Sequence, residues 1–216
     1  MGTIVAETLI DKVQTQLHDI TGIRFGSAEL LGWLNDGVSE IANLKPDACA
    51  LAAAVKSSAG SRQELPVTGF QLIDVIRNMG TDGTTAGQAV TRQDRALFDS
   101  AKPGWSSETP TATAKHWLFD LRDPVGFYVY PPADGTGYLE IIYASVPSAI
   151  EEDAAIPIND IYGPVLIDYI LSRAYAKDTD AAANGERSSG HYQRFITALQ
   201  GREAQEQADN PTAQTR

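Results

Sequence analysis

Four aspartates, Asp94, Asp99, Asp120 and Asp123, stand near one another in the chain and are interleaved with Arg92, Arg95 and Arg122. Two carboxylates in a dry pocket, with their pKa values pushed apart, would form an acid–base pair. The same side chains serve equally to cap helix ends or pair with the arginines, and that is the expected role. Glu151, Glu152 and Asp153 are consecutive. They cannot converge on one reacting centre from a regular element, so they read as a solvated linker. His18, His116 and His191 lie far apart, and none has a second His or Cys at zinc-ligand spacing. Cys49 is the only cysteine, so no disulfide forms within the chain, as fits a reducing cytosol. Its neighbours in "DACALAAA" are small and apolar, which suits a packed thiol better than a nucleophile. "GTDGTTAG" lacks the Lys-Thr or Lys-Ser of a phosphate-binding loop. "PPADGTG" lacks the carboxylate spacing of a calcium loop. No serine sits in a G-x-S-x-G elbow. The expectation is therefore no catalytic residue, no cofactor and no metal.

The elements around these residues follow from apolar spacing. Ala6, Leu9, Ile10, Val13 and Leu17 recur at three and four, which predicts a helix from about Thr3 to Asp19. Ser27 is placed to cap a second helix, with Glu29 in its first turn and Leu30, Leu34, Val38 and Ile41 as its stripe. Pro46 stops it. A third helix buries Tyr162, Val165, Leu166, Tyr169 and Ile170, with Gly163-Pro164 in its first turn, and breaks at Asn184-Gly185. A fourth runs from about Glu186 to Ala208, with Tyr192, Phe195, Ile196 and Leu199 inward.

Between these pairs the period changes to two. "LAAAVKSSAGSRQELPV" is weakly β-like, "LIDVIRNMG" alternates, and "RQDRALFDSA" is a short helix stopped by Pro103. "KHWLFDL", "GFYVYPP" and "GYLEIIYA" are aromatic, β-branched strands. The last two read as a β-hairpin across "PPADGTG", with Phe127 and Val129 on one face and Tyr128 and Tyr130 on the other. Both faces are largely apolar, so something must cover them, a neighbouring subunit included.

The predicted fold class is therefore α+β, mainly α: a four-helix bundle with a β-rich insertion between the second and third long helices. Residues 1–48 supply helices 1 and 2, residues 49–150 the insertion, residues 151–208 helices 3 and 4, and residues 209–216 a flexible tail. The chain has 216 residues, 43% of them hydrophobic, enough for one sizeable core or two small ones. No apolar run is long enough to span a bilayer. The N-terminus lacks the basic-then-apolar order of a signal peptide. Gly2 with Ala6 is a poor myristoylation signal. The net charge is −11 with no cluster of Lys and Arg, which argues against tight binding to a phosphate backbone.

Several segments then occur in a telling order: "AGSRQELP" (59–66), "RNMG" (77–80), "TRQDRALFDSAKPGW" (91–105), "FDLRDPVGFYVYPP" (119–132), "LEIIYASVP" (139–147) and "YILSRAYAKDTDAAANGERSSGHYQRF" (169–195). This succession resembles the head-to-tail adaptor proteins of short-tailed bacteriophages, also called connector or head-completion proteins, from about Leu30 to Leu199. The resemblance implies a virion protein at the head–tail junction, assembled in the host cytoplasm and not an enzyme. It implies a ring, typically of about twelve copies, made head to tail. Its partners would be the portal protein, the tail nozzle, tail fibre proteins and copies of itself. Genomic DNA would pass through the lumen without specific binding, repelled by acidic charge. No membrane is involved. The candidate subunit or partner contacts are Trp105, Phe127, Tyr128, Tyr130, Tyr143, Arg202 and Arg216. Filling the insertion's own core is the competing role for the aromatic residues. Rival functions are another minor tail or gatekeeper protein, a tail-associated cell-wall hydrolase, and a nucleic-acid-binding module.

Overall fold

A computed structural model describes residues 2–120, 122–178 and 182–209; for residues 182 and 202–209 it describes the backbone alone. The chain divides into two compact units. Cys49–Val146 forms one, and the chain on either side of it forms the other.

The outer unit is helical: α1 (Ala6–Gln16), α2 (Ser27–Leu44), α4 (Gly163–Lys177) and α5 (Ala182–Asp209). The expected stripes are buried: Leu9, Ile10 and Val13 on α1, Leu30, Leu34, Val38 and Ile41 on α2. Helix α1 begins at Ala6 and not at Thr3, because residues before it are extended. Ile4 accepts from the Ile156 N–H, and Val5 bridges Ala155. The first turn of α1 has no side-chain cap. Its free donors are satisfied instead by the segment after Ile150: Ala6 N–H donates to the Ala154 carbonyl and Glu7 N–H to that of Glu152. That segment is anchored by Ile150, Ile156 and Ile158, all buried. Asp160 accepts from the Thr3 and Ile4 N–H groups and from the Thr3 hydroxyl, which holds its carboxyl below the ordinary range.

Helix α4 is the hub. Val165, Leu166, Tyr169, Ile170, Leu171 and Ala174 are buried right around it, and α1, α2 and α5 each pack on it. Gly37 is the residue that lets α2 come close: a Cβ there would lie 2.9 Å from Tyr169 Cδ1 and 3.1 Å from Leu166 Cδ2. Asn184-Gly185 does not end α4. Asn184 is buried within the first turn of α5, where its amide donates to the Asp178 carbonyl and carboxylate.

The inner unit contains β1 (Ala50–Lys56), β2 (Gly60–Glu64), β3 (Gly69–Asn78), β4 (Thr91–Gln93), α3 (Arg95–Ala101), β5 (His116–Phe119), β6 (Gly126–Ala133) and β7 (Tyr138–Ser145). One sheet has the order β1–β7–β3, the other β2–β6–β5–β4. Leu72, Val75, Leu139, Ile141 and Tyr143 from the first and Trp117, Phe127 and Val129 from the second share one apolar cluster.

Two expectations are corrected here. The protein is not a mainly helical four-helix bundle carrying an insertion; it is α+β with substantial sheet, five helices and seven strands among the described residues. The helices surround α4 unequally, and the strands build a core of their own. Nor do β6 and β7 form a hairpin. They belong to different sheets: β7 pairs with β1 and β3, β6 with β2 and β5. The run from Ser145 back to Gly126 pairs as one antiparallel ribbon with Ala50 to Glu64, joined across the bend where Ser57 N–H donates to the Gly137 carbonyl. "DGTG" bends that ribbon and does not reverse it. Gly135 takes φ +86°, Gly60 on the facing strand takes φ +110°, and a Cβ on Gly137 would collide with the Ala112 carbonyl. A period of two assigns the strand and its faces but not its partner.

Candidate contact surfaces

The aromatic residues singled out by sequence fall into two layers of the inner unit. Phe127 and Tyr143 are buried in the core shared by the sheets. Tyr128 and Tyr130 point from the other face of β6 and are half-buried. They meet α3 and the short 3-10 turn Trp105–Ser107. Trp105 is buried and packs edge-on to Tyr128 and Tyr130, with Phe98 5.7 Å away. Its indole N–H donates to Asp99 at 2.7 Å. Arg95 stacks 4.4 Å over Tyr128 and pairs with Asp120 at 3.1 Å. The Tyr130 hydroxyl donates to Glu108 at 2.9 Å and contacts Lys102, which pairs with Glu108 at 2.8 Å. This network raises the Lys102 pKa, chiefly through the hydrogen bond to Glu108, and lowers that of Glu108. Lys102 and Glu108 escaped the sequence reading. "AKPGWSSE" shows their nearness to Trp105, but nothing in it shows Tyr130 between them. The side chain of Arg202 and all of Arg216 lie outside the described residues, as do residues 210–216 of the expected tail.

The four aspartates are occupied separately. Asp94 caps α3 by accepting from Leu97 N–H, Asp99 holds Trp105, Asp120 holds Arg95, and Asp123 pairs with Arg62 at 3.0 Å. Arg92 lies over Trp117. His116 meets the Thr91 hydroxyl at 2.6 Å and stacks on Tyr130. His191 meets Asp168 at 2.7 Å beside Arg194, joining α5 to α4. His18 sits in the turn after α1 with φ +55°. In "GTDGTTAG", Asp82 accepts from the N–H and hydroxyl of both Thr84 and Thr85, which drives its carboxyl far below the ordinary range. These bonds fold the loop on itself. Among the described residues no cluster of His, Cys, Asp and Glu could hold a metal ion.

An open cleft of about 400 Å³ in the helical unit is lined by His18, Arg24, Phe25, Tyr175, Asp178 and Arg187, among others. Arg24 and Asp178 are paired with each other in its wall. Burial pushes the Cys49 thiol up to about 11. At neutral pH the folded protein should therefore hold about a hundredfold less thiolate than a free cysteine. Iodoacetamide is expected to label Cys49 correspondingly slowly in the native chain and at the ordinary rate in urea. Equal rates would mean the thiol is not shielded.

The outer surface carries charge and isolated apolar side chains. Outside Cys49–Val146 the chain has eighteen acidic and nine basic residues, a net −9; within it, ten and eight, a net −2. Ile20 and Ile23 stand 76% and 88% exposed on the loop between α1 and α2. Asp19 holds that loop by accepting from the N–H groups of Ile23, Arg24 and Phe25. Val67 is fully exposed between β2 and β3. No described helix is long and apolar enough to cross a membrane.

The family model described as SU10 adaptor protein matches residues 6–216. No curated protein matches the chain.

Proposed function

The chain belongs to the SU10 adaptor protein family, a family of structural phage adaptors, and from that premise we propose that it forms a ring between the portal and the tail nozzle. In this reading it is a virion part whose work is fitting against other head and tail proteins. The ring, of about twelve copies, extends the DNA channel and offers the surface on which the nozzle and fibres dock. The observation that carries the reading is the family match, which spans both structural units and nearly the whole chain.

The physical features support it. A ring made head to tail requires two unlike faces on each subunit. The acidic excess sits in the helical unit. If that unit faces the lumen, the wall repels DNA phosphates and the genome slides past without sticking. Tyr128 and Tyr130, half-buried, offer a docking surface only what their packing leaves exposed, and Trp105 is buried behind them and acts there by fixing their rings. The four aspartates hold one helix end, an indole and two arginines, which favours the structural role over wall hydrolysis.

The test is the mass of the purified chain alone and mixed with the portal of its own phage. A defined multimer on the portal ring is expected. A chain that stays monomeric and never joins the portal would end the ring reading. Retention on DNA at low salt separates the nucleic-acid rival; the expected result is none, because phosphate binding needs clustered cations.

A further inference from the structure

The four ends of the two sheets differ in how they are protected. Edge strands invite pairing with other chains, and charge, shortness or cover normally blunts them. In the second sheet, β2 carries Arg62 and Glu64, and β4 is three residues long with Arg92 in its middle. The first sheet is less defended: its only edge charge is Lys56 at the end of β1, and the short segment beyond β3 carries none. Ala50 to Val55 of β1 bears no charge and is exposed or half-exposed throughout. Beyond β3 runs the segment Gly87–Val90, held by Gly87 N–H to the Asn78 carbonyl, Asn78 N–H to that of Gln88, and Val90 N–H to that of Ile76. From Gly83 to Thr91 there is no charged residue, and Thr84 to Ala89 are exposed.

The hydrogen-bond parity shows which backbone groups are open. Ser57 bonds Gly137, while Tyr138 turns its N–H and carbonyl to Gly80 and Met79 on the β3 side. The odd residues of β1 therefore face β7, and Ala52 and Ala54 turn N–H and C=O outward. At the other end, Ala89 bridges Arg77 between the two flanking bonds, so its N–H and C=O also point away from the sheet. Among the described residues no group pairs with these outward donors and acceptors.

We propose that the outer edge of β1 in one copy pairs with the Gly87–Val90 segment of the next copy, making the sheet continuous between neighbours. This rests on the ring reading above and gives it an interface. The two edges are unlike, so the contact is head to tail, the type that closes rings. A copy offering only β1 to β1 would stop at a two-fold pair. Charge favours one direction. With the strands antiparallel and Ala52 beside Ala89, Lys56 runs toward the end of the segment where Asp82 stands. The alanines on both edges let the backbones approach.

The experiment is sedimentation of the full chain over a range of concentration, with Ala54→Lys and Ala89→Lys and the corresponding proline variants. Each substituted residue is exposed, and its N–H makes no bond among the described residues, so the fold is expected to stand, as circular dichroism would verify. Wild type should associate beyond dimers. Each variant alone should associate at least about tenfold more weakly. An equimolar mixture of the two should recover dimers and go no further, since one intact edge of each kind remains. Variants that associate like wild type overturn the sheet contact and leave a ring made through other surfaces. Wild-type association lost in Ala54→Lys but kept in Ala89→Lys overturns it in favour of the two-fold pair. A wild-type chain that is monomeric throughout overturns it as well, while the portal mixture reads the ring itself independently.

Discussion

Phe195→Ala is expected to destabilise the helical unit by about 3–5 kcal/mol, the usual range for deleting a buried phenylalanine side chain. Phe195 is fully buried, with its ring 5.1 Å from Tyr169 and 5.8 Å from Tyr192. Among the described side chains, Phe195 and Leu199 are the large apolar ones that α5 buries, alongside polar ties from Asn184, Ser188, His191 and Arg194 to α4 and the residue that follows it. Tyr169 cannot fill the space left behind, because its hydroxyl is fixed by Arg173 at 2.7 Å and its ring is pressed by Gly37 of α2. The cavity would therefore stay open and the loss would fall at the high end. Tyr192→Ala is the control. That ring is 36% exposed, and its loss is expected to cost about 1 kcal/mol, as for a partly exposed site. Urea titration followed by helical circular dichroism separates the two. A Phe195→Ala midpoint near that of wild type would mean α5 is held by something other than this ring.

Helix faces in this chain are legible because their chemistry is local. Leu30, Leu34, Val38 and Ile41 appear as a stripe in sequence and are buried together, since a spacing of three and four admits one answer. Helix ends are less so. Asn184-Gly185 looks like a stop, yet Asn184 bonds across to Asp178, a contact that no local pattern encodes. The alanines of β1 would favour a helix if isolated. They are extended because β7 offers a partner far along the chain, with Ala50 set against Ala144. The same distance explains the missing hairpin. A strand's alternation tells its faces, whereas its neighbour depends on which other strands close the core.

The candidate surface divides the same way. Asp94 before "RALFDSA" announces a helix cap from sequence alone, and it caps α3. The pairing of Asp120 with Arg95 was open to the sequence; that of Asp123 with Arg62 was not, since sixty-one positions separate them. The weakly protected edge of β1 was visible in outline as "ALAAAVK", a strand whose only charge is at its end. Its significance needed the topology, because only an edge strand leaves backbone groups unpaired.

Asn78 is where that topology is most exposed to a single substitution. Its side chain is 2% exposed. The amide donates to the Gln88 carbonyl at 2.9 Å and the Ala114 carbonyl at 2.8 Å, and its oxygen accepts from Ala114 N–H at 2.8 Å. One residue thus joins the end of β3, the outer Gly87–Val90 segment and the chain leading into β5. Asn78→Ala leaves the Ala114 N–H without its partner and is expected to cost about 2–4 kcal/mol, since each buried group left unpaired costs about 1–3. Asn78→Asp keeps an acceptor for Ala114 N–H but sets a carboxylate against two carbonyl oxygens. Its folded pKa should rise above the unfolded value. The destabilisation is then full above the folded pKa, fades as pH falls from there toward the unfolded pKa, and is gone below it. Urea midpoints at neutral and acid pH should show the Asp variant approaching wild type in acid while the Ala variant keeps its deficit. Hydrogen exchange at Gly87, whose N–H bonds the Asn78 carbonyl, should quicken in both variants at neutral pH. Unchanged exchange there would mean the outer segment is held without Asn78, and the sheet edge offered to a neighbour would not depend on it.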